Sequence, residues 1–183
     1  MKAIKIRNLI LLAFFADIGF VSKHLIAPFA NVLTDFLRVP GGIGTAFSLM
    51  FLVVGAYLIQ RKGAASAMSL VQCILAMSLG MVGAMGSLSP FGYLMPGIVI
   101  DIVLAFCRRC NVSQLIAMTS ANAAGSLAAA LTANFIVFRL RGAVLALYLL
   151  IALISGGLCG LLATVIYKRI RPLYRDGKTA AEQ

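Results

Sequence analysis

A chain of 183 residues, of which 62% are hydrophobic and 11% charged, is too apolar to be an ordinary soluble domain. Its mean hydropathy is +1.02 and its charged residues fall between apolar runs, so the composition predicts an integral membrane protein. A net charge of +11 would suggest nucleic-acid binding in a soluble chain, but basic flanks also orient membrane helices, and we adopt that interpretation.

Six apolar runs have roughly the length of a transmembrane helix, which needs about 20 residues to cross the hydrocarbon core. The first run follows a basic segment, as in a signal peptide, but Asp17 interrupts it and further runs follow, so we interpret it as a retained helix. The sequence predicts an all-α fold in which residues 1–183 form one compact bundle of six transmembrane helices, with 168–183 as a basic cytoplasmic tail. The predicted spans are 8–27, 43–60, 64–83, 91–107, 112–137 and 142–167.

The basic residues between these runs are distributed unevenly over the two sides of the predicted membrane. Because cytoplasmic segments carry the excess of lysine and arginine, both termini are predicted to lie in the cytoplasm, with the protein in the plasma membrane. The side of the termini carries Lys2, Lys5, Arg7, Arg61, Lys62, Arg108, Arg109, Lys168, Arg169, Arg171, Arg175 and Lys178. The outer side carries only Lys23, Arg38, Arg139 and Arg141, and the connections 28–42, 84–90 and 138–141 are predicted to face outward.

Residues 28–47 join the first two runs, and we name them the gate segment. In its first part, apolar residues recur at helical spacing with polar residues between them, which predicts a short amphipathic helix in the outer connection. A cluster rich in glycine then interrupts the helix before the next run begins. Such backbone at membrane depth lines or covers a cavity, so the segment is predicted to gate an outer pocket. The cluster consists of Pro40, Gly41, Gly42 and Gly44.

Polar residues inside the runs are costly in hydrocarbon and therefore indicate structure or function. Thr119, Asn122 and Ser126 share one face of the fifth run. Asp17 and Asp101 interrupt the first and fourth runs, and for both of them a structural bond inside the bundle and direct contact with a substrate are open interpretations.

Small residues at helical spacing predict close helix packing in the second half of the chain. Gly156-x-x-x-Gly160 in the sixth run is typical of packed membrane helices, either within one chain or between two copies. Packing within the chain is the preferred interpretation.

The sequence contains none of the familiar catalytic or nucleotide-binding motifs, so the chain is predicted not to be an enzyme and to carry no cofactor. Cys107-x-x-Cys110 lacks the second pair or nearby histidine that would complete a metal site, and no metal is predicted. Without a nucleotide site of its own, active transport would require partner subunits that hydrolyse ATP.

Two stretches, LTDFLRVPGGIGTAFSLMFLVVGAYLIQRKGA and PFGYLMPGIVIDIVLAF, resemble the substrate-binding S components of energy-coupling-factor (ECF) transporters, a type of ABC transporter. The likeness is strongest over residues 23–110 and to the branch for thiamine or its hydroxymethylpyrimidine precursor. It implies a subunit that captures a water-soluble vitamin at the outer face, with the first outer loop as its lid. The hinge of that lid would be Pro40, Gly41, Gly42 and Gly44. It also implies a transmembrane coupling subunit and two cytoplasmic ATPases as partners, with the coupling subunit contacted by small residues of the first helix. Here Ala13, Ala16 and Gly19 would supply that contact.

Polar and aromatic residues at the outer ends of several runs form the predicted pocket. Asp35 would hold an amine or hydroxyl, Arg38 and Arg139 an acidic group, and the aromatic residues a ring. The excess of basic residues on the outer side favours a neutral or anionic substrate, whereas thiamine is a cation. The predicted pocket residues are Asn31, Asp35, Arg38, Phe91, Tyr93, Asn122, Asn134, Arg139 and Tyr148.

Two other functions are compatible with the same pattern. A membrane scaffold or assembly protein would use Asp17, Asp101 and Asn122 to pair among themselves and would leave no outer cavity. A small secondary carrier would transport its substrate without ATPase partners, although no internal repeat of the kind found in many carriers is visible.

Overall fold

The computed structural model describes residues 6–36, 43–81 and 83–179. Within these ranges the chain forms six α-helices and no β-strand, which confirms the predicted all-α class. The helices are α1 (Ile6–Phe36), α2 (Ile43–Ile59), α3 (Ala64–Ser78), α4 (Ser89–Arg109), α5 (Gln114–Ala133) and α6 (Ala143–Thr179). A 3₁₀ helix (Gly83–Leu88) precedes α4, and a π-helix (Asn134–Phe138) continues α5.

The helix α2 lies at the centre of the bundle and contacts each of the other five helices. Its sequence lacks the polar stripe of a surface helix, as expected for a helix that is surrounded by others. Leu52, Val53, Val54 and Ala56 are fully buried in the resulting core. The other helices are therefore arranged around α2 and expose apolar faces on the outside.

Contacts between the helix ends define two ends of the bundle. At the terminal end, the Tyr174 hydroxyl on α6 donates a hydrogen bond of 3.3 Å to Oδ1 of Asn8 on α1. At the opposite end, which we name the distal end, the backbone of Gly44 in α2 packs against Ala27 of α1, and the 3₁₀ helix contacts the π-helix. The start of α1 and the end of α6 therefore lie at the same end of the molecule.

Four stretches are long and apolar enough to cross a membrane: Asn8–Phe29, Met85–Arg109, Gln114–Phe138 and Ala143–Pro172. These stretches support a multi-pass membrane protein. The other two predicted spans form shorter apolar helices, α2 with 17 residues and α3 with 15. At 1.5 Å per residue they are about 25 and 22 Å long, which is less than a hydrocarbon core of about 30 Å.

Two helices extend further than the apolar runs predict. The helix α1 continues through Pro28 to Phe36, so the first part of the gate segment belongs to the same helix as the first span. A proline removes one backbone donor, and membrane helices tolerate this where neighbouring groups compensate. Likewise α6 continues to Thr179, so most of the predicted tail is helical. Hydropathy marks the apolar part of a helix, whereas the backbone hydrogen bonds continue into polar sequence.

The helix α3 ends earlier than predicted because Gly80 adopts a left-handed conformation with φ of 68°. The Met81 N–H donates to the Ala76 carbonyl at 2.8 Å, and the Gly80 N–H to the Met77 carbonyl at 3.2 Å. This pair of bonds is the Schellman pattern that terminates many helices. It satisfies two carbonyls that the last turn would otherwise leave without a donor.

Candidate functional site

Polar side chains inside the bundle reach backbone carbonyls of neighbouring helices. The Ser48 hydroxyl donates to the Gly19 carbonyl at 2.7 Å, and the Gln72 Nε2 group donates to the Ala16 carbonyl at 3.0 Å. These bonds tie α2 and α3 to α1, and Ala16 and Gly19 are buried beneath them. Ala13 is partly exposed. The predicted contact of these three small residues with a coupling subunit stays a prediction, and in this structure two of them face the interior.

Asp101 of α4 caps the first turn of α3. Its Oδ1 accepts the Ala65 N–H at 3.1 Å, and its Oδ2 accepts both the Ser66 N–H at 2.8 Å and the Ser66 hydroxyl at 2.6 Å. The position before this helix is Gly63, which has no side chain to cap the free N–H groups. The carboxylate from α4 therefore takes the place of a local cap, and of the two interpretations of Asp101 the structure favours the structural bond.

Asn122 joins three helices in the centre of the bundle. Its side chain is 0% exposed, and its Nδ2 group donates to the Gly156 carbonyl on α6 at 2.8 Å and to the Ala46 carbonyl on α2 at 3.3 Å. The polar face of α5 predicted from the sequence therefore packs against α6, where Gly156 and Gly160 allow close approach. Asn122 therefore lies in the interior of the bundle, and its Oδ1 is buried without a hydrogen-bond partner among the described residues.

Replacing Asn122 with alanine should lower the free energy of unfolding by about 1 to 2 kcal/mol, because the two interhelical hydrogen bonds are lost. Equilibrium unfolding in mixed detergent micelles measures this change. Leu131→Ala, on the exposed side of α5, is the matched control and should have a much smaller effect. Unchanged stability together with loss of a bound small molecule would instead support the predicted role of Asn122 in the pocket.

Lys23 of α1 and Tyr93 of α4 form a cation–π pair near the distal end. The Lys23 Nζ lies 4.3 Å from the centroid of the Tyr93 ring. The lysine side chain is half-buried and turns toward α4, into the bundle. A cation over a tyrosine ring is held by the ring quadrupole without being neutralised. The pair thus places a positive charge between two membrane helices.

No acidic residue of the described part of the chain neutralises Lys23. The whole sequence has only five carboxylates, and none within the described residues lies within 4 Å of this ammonium group. Asp101 is held at the start of α3, and Asp35 lies 12 residues further along α1, or about 18 Å away. The site therefore has an unneutralised positive charge that suits an anionic group from outside the chain.

An apolar groove of about 590 Å³ lies on another side of α4 at the same end. It contains two of the predicted pocket residues, Phe91 and Asn134. Phe91 and Tyr93 are two positions apart, which is about 200° around a helix, so the two aromatic residues face different sides of α4. The lining residues are Leu88, Phe91, Met95, Leu131, Thr132, Asn134, Phe135 and Ile136.

The Thr132 hydroxyl and the side-chain oxygen of Asn134 in this groove are used by the chain itself. The Thr132 hydroxyl donates to the Ala128 carbonyl at 2.8 Å, and Oδ1 of Asn134 accepts the Leu140 N–H at 2.7 Å. Arg139 follows in a left-handed conformation with φ of 50°, and its side chain is exposed. The groove thus offers mostly hydrophobic surface, unlike the pair formed by Lys23 and Tyr93.

The remaining predicted pocket residues lie elsewhere or outside the described side chains. Tyr148 is 2% exposed and packs edge-on against Phe138, with 5.9 Å between the ring centroids. Asn31 and Asp35 lie on the last turns of α1, but their side chains are outside the described part of the structure, as are residues Arg38, Pro40, Gly41 and Gly42. Gly44 lies in the first turn of α2 and is buried against α1. The hinge and the gate stay predictions.

Sequence reasoning placed Lys23 among the outer basic residues but did not assign it to the pocket. The signal was present, because Lys23 is the one lysine or arginine within the Asn8–Phe29 stretch. A lone cation in an apolar helix requires a partner, and that partner can be a ring or a ligand as well as an acid. Lys23 and Tyr93 are 70 positions apart in the sequence, so their contact depends on how α1 and α4 are placed in the folded bundle.

No protein-family model, no curated protein and no solved structure matches this chain.

Proposed function

We propose that this chain is the membrane-embedded substrate-capture subunit of an ECF-type importer for a water-soluble vitamin or vitamin precursor. The proposal includes six membrane spans, cytoplasmic termini and an outward-facing distal end. The larger number of lysines and arginines on the side of the termini supports this orientation. The six-helix arrangement and the resemblance over residues 23–110 support the family.

The cation–π pair of Lys23 and Tyr93 is the observation that carries the proposal. It joins α1 and α4 near the distal end, and the described part of the chain supplies no acid to the lysine. A lysine that served only to anchor a helix at the interface would extend toward the headgroups. This one turns inward onto an aromatic ring, and we propose that the bound molecule contacts both groups.

The substrate that suits this arrangement has an aromatic or heterocyclic ring and an acidic group. A carboxylate or phosphate would pair with the Lys23 ammonium, and the ring would pack beside Tyr93. This chemistry fits the predicted preference for a neutral or anionic substrate and disfavours the thiamine cation. Asn31, Asp35 and Arg38, at the end of α1 and just beyond it, are the proposed polar complement of the site.

The proposed partners are a transmembrane coupling subunit and two cytoplasmic ATPases. The sequence has no nucleotide-binding motif, so the energy for uptake would come from these subunits. Release of a tightly held substrate into the cytoplasm needs such an input of energy.

A panel of water-soluble vitamins and precursors, tested by calorimetry on the purified protein in nanodiscs, should include one ligand that binds more tightly than about 1 µM, or about −8 kcal/mol. Lys23→Met should weaken that binding at least about tenfold, which corresponds to about 1.4 kcal/mol, because the ligand loses its counter-charge. Lys62→Met, at an exposed position between α2 and α3, is the matched control and should bind like the wild type. Mass spectrometry of small molecules retained through purification would identify the ligand independently.

Failure of every compound to bind more tightly than about 1 µM would contradict the capture function. The scaffold alternative would then remain, although Asp17, Asp101 and Asn122 do not pair among themselves as it predicts. Asp101 bonds to Ser66, and Asn122 bonds to the Gly156 carbonyl. Binding that is unchanged in Lys23→Met would keep a capture function but remove this site from it.

A further inference from the structure

Asp17 lies on the outward face of α1, in the middle of an apolar surface. The helix α1 contacts α2 and α3 through its inner face, where Phe15, Ala16 and Phe20 are buried. Asp17 is exposed on the other side. We name the apolar residues around it, together with Asp17, the outer α1 face. This face consists of Ile10, Phe14, Asp17, Val21 and Leu25, all of which are exposed.

The depth of Asp17 makes its exposure unusual. It is the tenth residue of the Asn8–Phe29 stretch, about 14 Å from the start and 18 Å from the end. Within a hydrocarbon core of about 30 Å this is close to the middle. Ionisable residues at such depth generally face the interior of a bundle and have a partner there. Asp17 instead faces away from its own bundle.

Asp17 has no hydrogen bond or ion pair with any residue that the structure describes. The basic residue nearest to it along α1 is Lys23, which lies about 9 Å further along the helix and is turned toward Tyr93. The other lysines and arginines of the described helices lie at or beyond the ends of the apolar stretches, not at mid-span. The chain therefore leaves a carboxylate in the lipid-facing surface without supplying its partner.

We infer that the outer α1 face binds a transmembrane helix of another membrane protein, and that a lysine or arginine of that helix pairs with Asp17. The apolar residues above and below Asp17 would pack against the partner helix along about 22 Å, from Ile10 to Leu25. The pairing would remove the carboxylate from lipid, and the specificity of the contact would come from that single charge.

A second copy of this chain does not fit the face equally well. If two α1 helices paired symmetrically, the two Asp17 side chains would meet, and like charges at close range repel. No lysine or arginine lies at mid-span on an outward face of the described helices, so an unsymmetrical pair would lack the complementary charge as well. The charge pattern therefore favours a different, basic partner helix. This inference does not depend on vitamin binding.

The test uses labelled full-length protein in lipid vesicles and synthetic transmembrane helices of about 20 leucine and alanine residues. One helix carries a single arginine at its centre, and the other carries leucine there. Energy transfer between protein and helix should show association of the arginine helix with the wild type. We expect this association to weaken at least about tenfold in Asp17→Leu, which restores an ordinary lipid-facing residue and should fold normally.

A relocated carboxylate is the matched control. The double variant Asp17→Leu, Ile154→Asp has a carboxylate at an exposed mid-span position of α6 instead of α1. The α6 surface around position 154 is also apolar, but it lacks the Phe14 and Val21 side chains that flank Asp17 on α1, so the double variant should not recover the association. Full recovery would mean that any membrane carboxylate suffices, and this would overturn the assignment of the outer α1 face.

Three further results would also overturn the inference. The first is that the arginine helix does not associate with the wild type. The second is that the leucine helix associates as strongly as the arginine helix. The third is energy transfer between copies of the wild-type protein that disappears in Asp17→Leu. The last result would assign the face to a second copy of the chain.

Discussion

Replacing Gly160 with alanine should lower the free energy of unfolding by about 2 to 3 kcal/mol, because α5 and α6 are in backbone contact at this position. A Cβ atom on Gly160 would lie 2.6 Å from the Cα of Thr119 and 3.1 Å from its carbonyl oxygen. Backbone atoms cannot move aside as the end of a flexible side chain can. The helices would have to separate, and the neighbouring bond from Asn122 to the Gly156 carbonyl would lengthen or break.

Gly157 provides the control for this experiment on the same helix. A Cβ atom there would meet nothing within 4 Å. Gly157→Ala should therefore leave stability unchanged or raise it slightly, since alanine favours the helix over glycine by up to about 1 kcal/mol. Equilibrium unfolding of both variants in mixed micelles gives the comparison. If the two substitutions lowered the free energy of unfolding equally, the loss would come from replacing a glycine of α6 and not from the close contact between α5 and α6.

Asp101→Ala should destabilise the protein by about 2 to 4 kcal/mol, because three charge-assisted hydrogen bonds to the start of α3 disappear together. A cap of this kind typically contributes about 1 kcal/mol on the surface, and the partly buried position and the added bond to the Ser66 hydroxyl increase the loss. The carboxylate also offsets the positive end of the α3 dipole. The first turn of α3 should open before the rest of the bundle.

Hydrogen exchange of the Ala65 and Ser66 amides provides the local measurement. Both amides should lose protection in Asp101→Ala. Asp101→Asn keeps one acceptor oxygen. Its Ala65 and Ser66 amides should therefore have a protection between that of Asp101→Ala and that of the wild type. Ile102→Ala, at the neighbouring exposed position, is the control and should leave both amides protected. Protected amides in Asp101→Ala would show that the carboxylate is not the cap.

The sequence does not determine which residues, far apart along the chain, form hydrogen bonds between helices. The bonds from the Gln72 side chain to the Ala16 carbonyl and from the Ser66 N–H to the Asp101 carboxylate join positions 56 and 35 residues apart. Periodicity indicates that such a residue faces inward, but it contains no information on which neighbour the side chain will meet. For the same reason the sequence pattern predicts Phe91 and Tyr93 in one pocket, although the helix turns them to different sides.

By itself the sequence determined that this is an all-helical membrane protein, because long apolar runs can satisfy their backbone groups in lipid only as helices. It also determined the end of α2 to within one residue, since Gln–Arg–Lys follow that run. The tertiary structure alone decided the roles of the polar residues within the runs. It assigned Asp101 and Asn122 to bonds between helices, turned Lys23 toward Tyr93 and left Asp17 facing outward. The physical reason is that the direction of a polar side chain is set by the rotation of its helix against its neighbours, and that rotation depends on packing across the whole bundle.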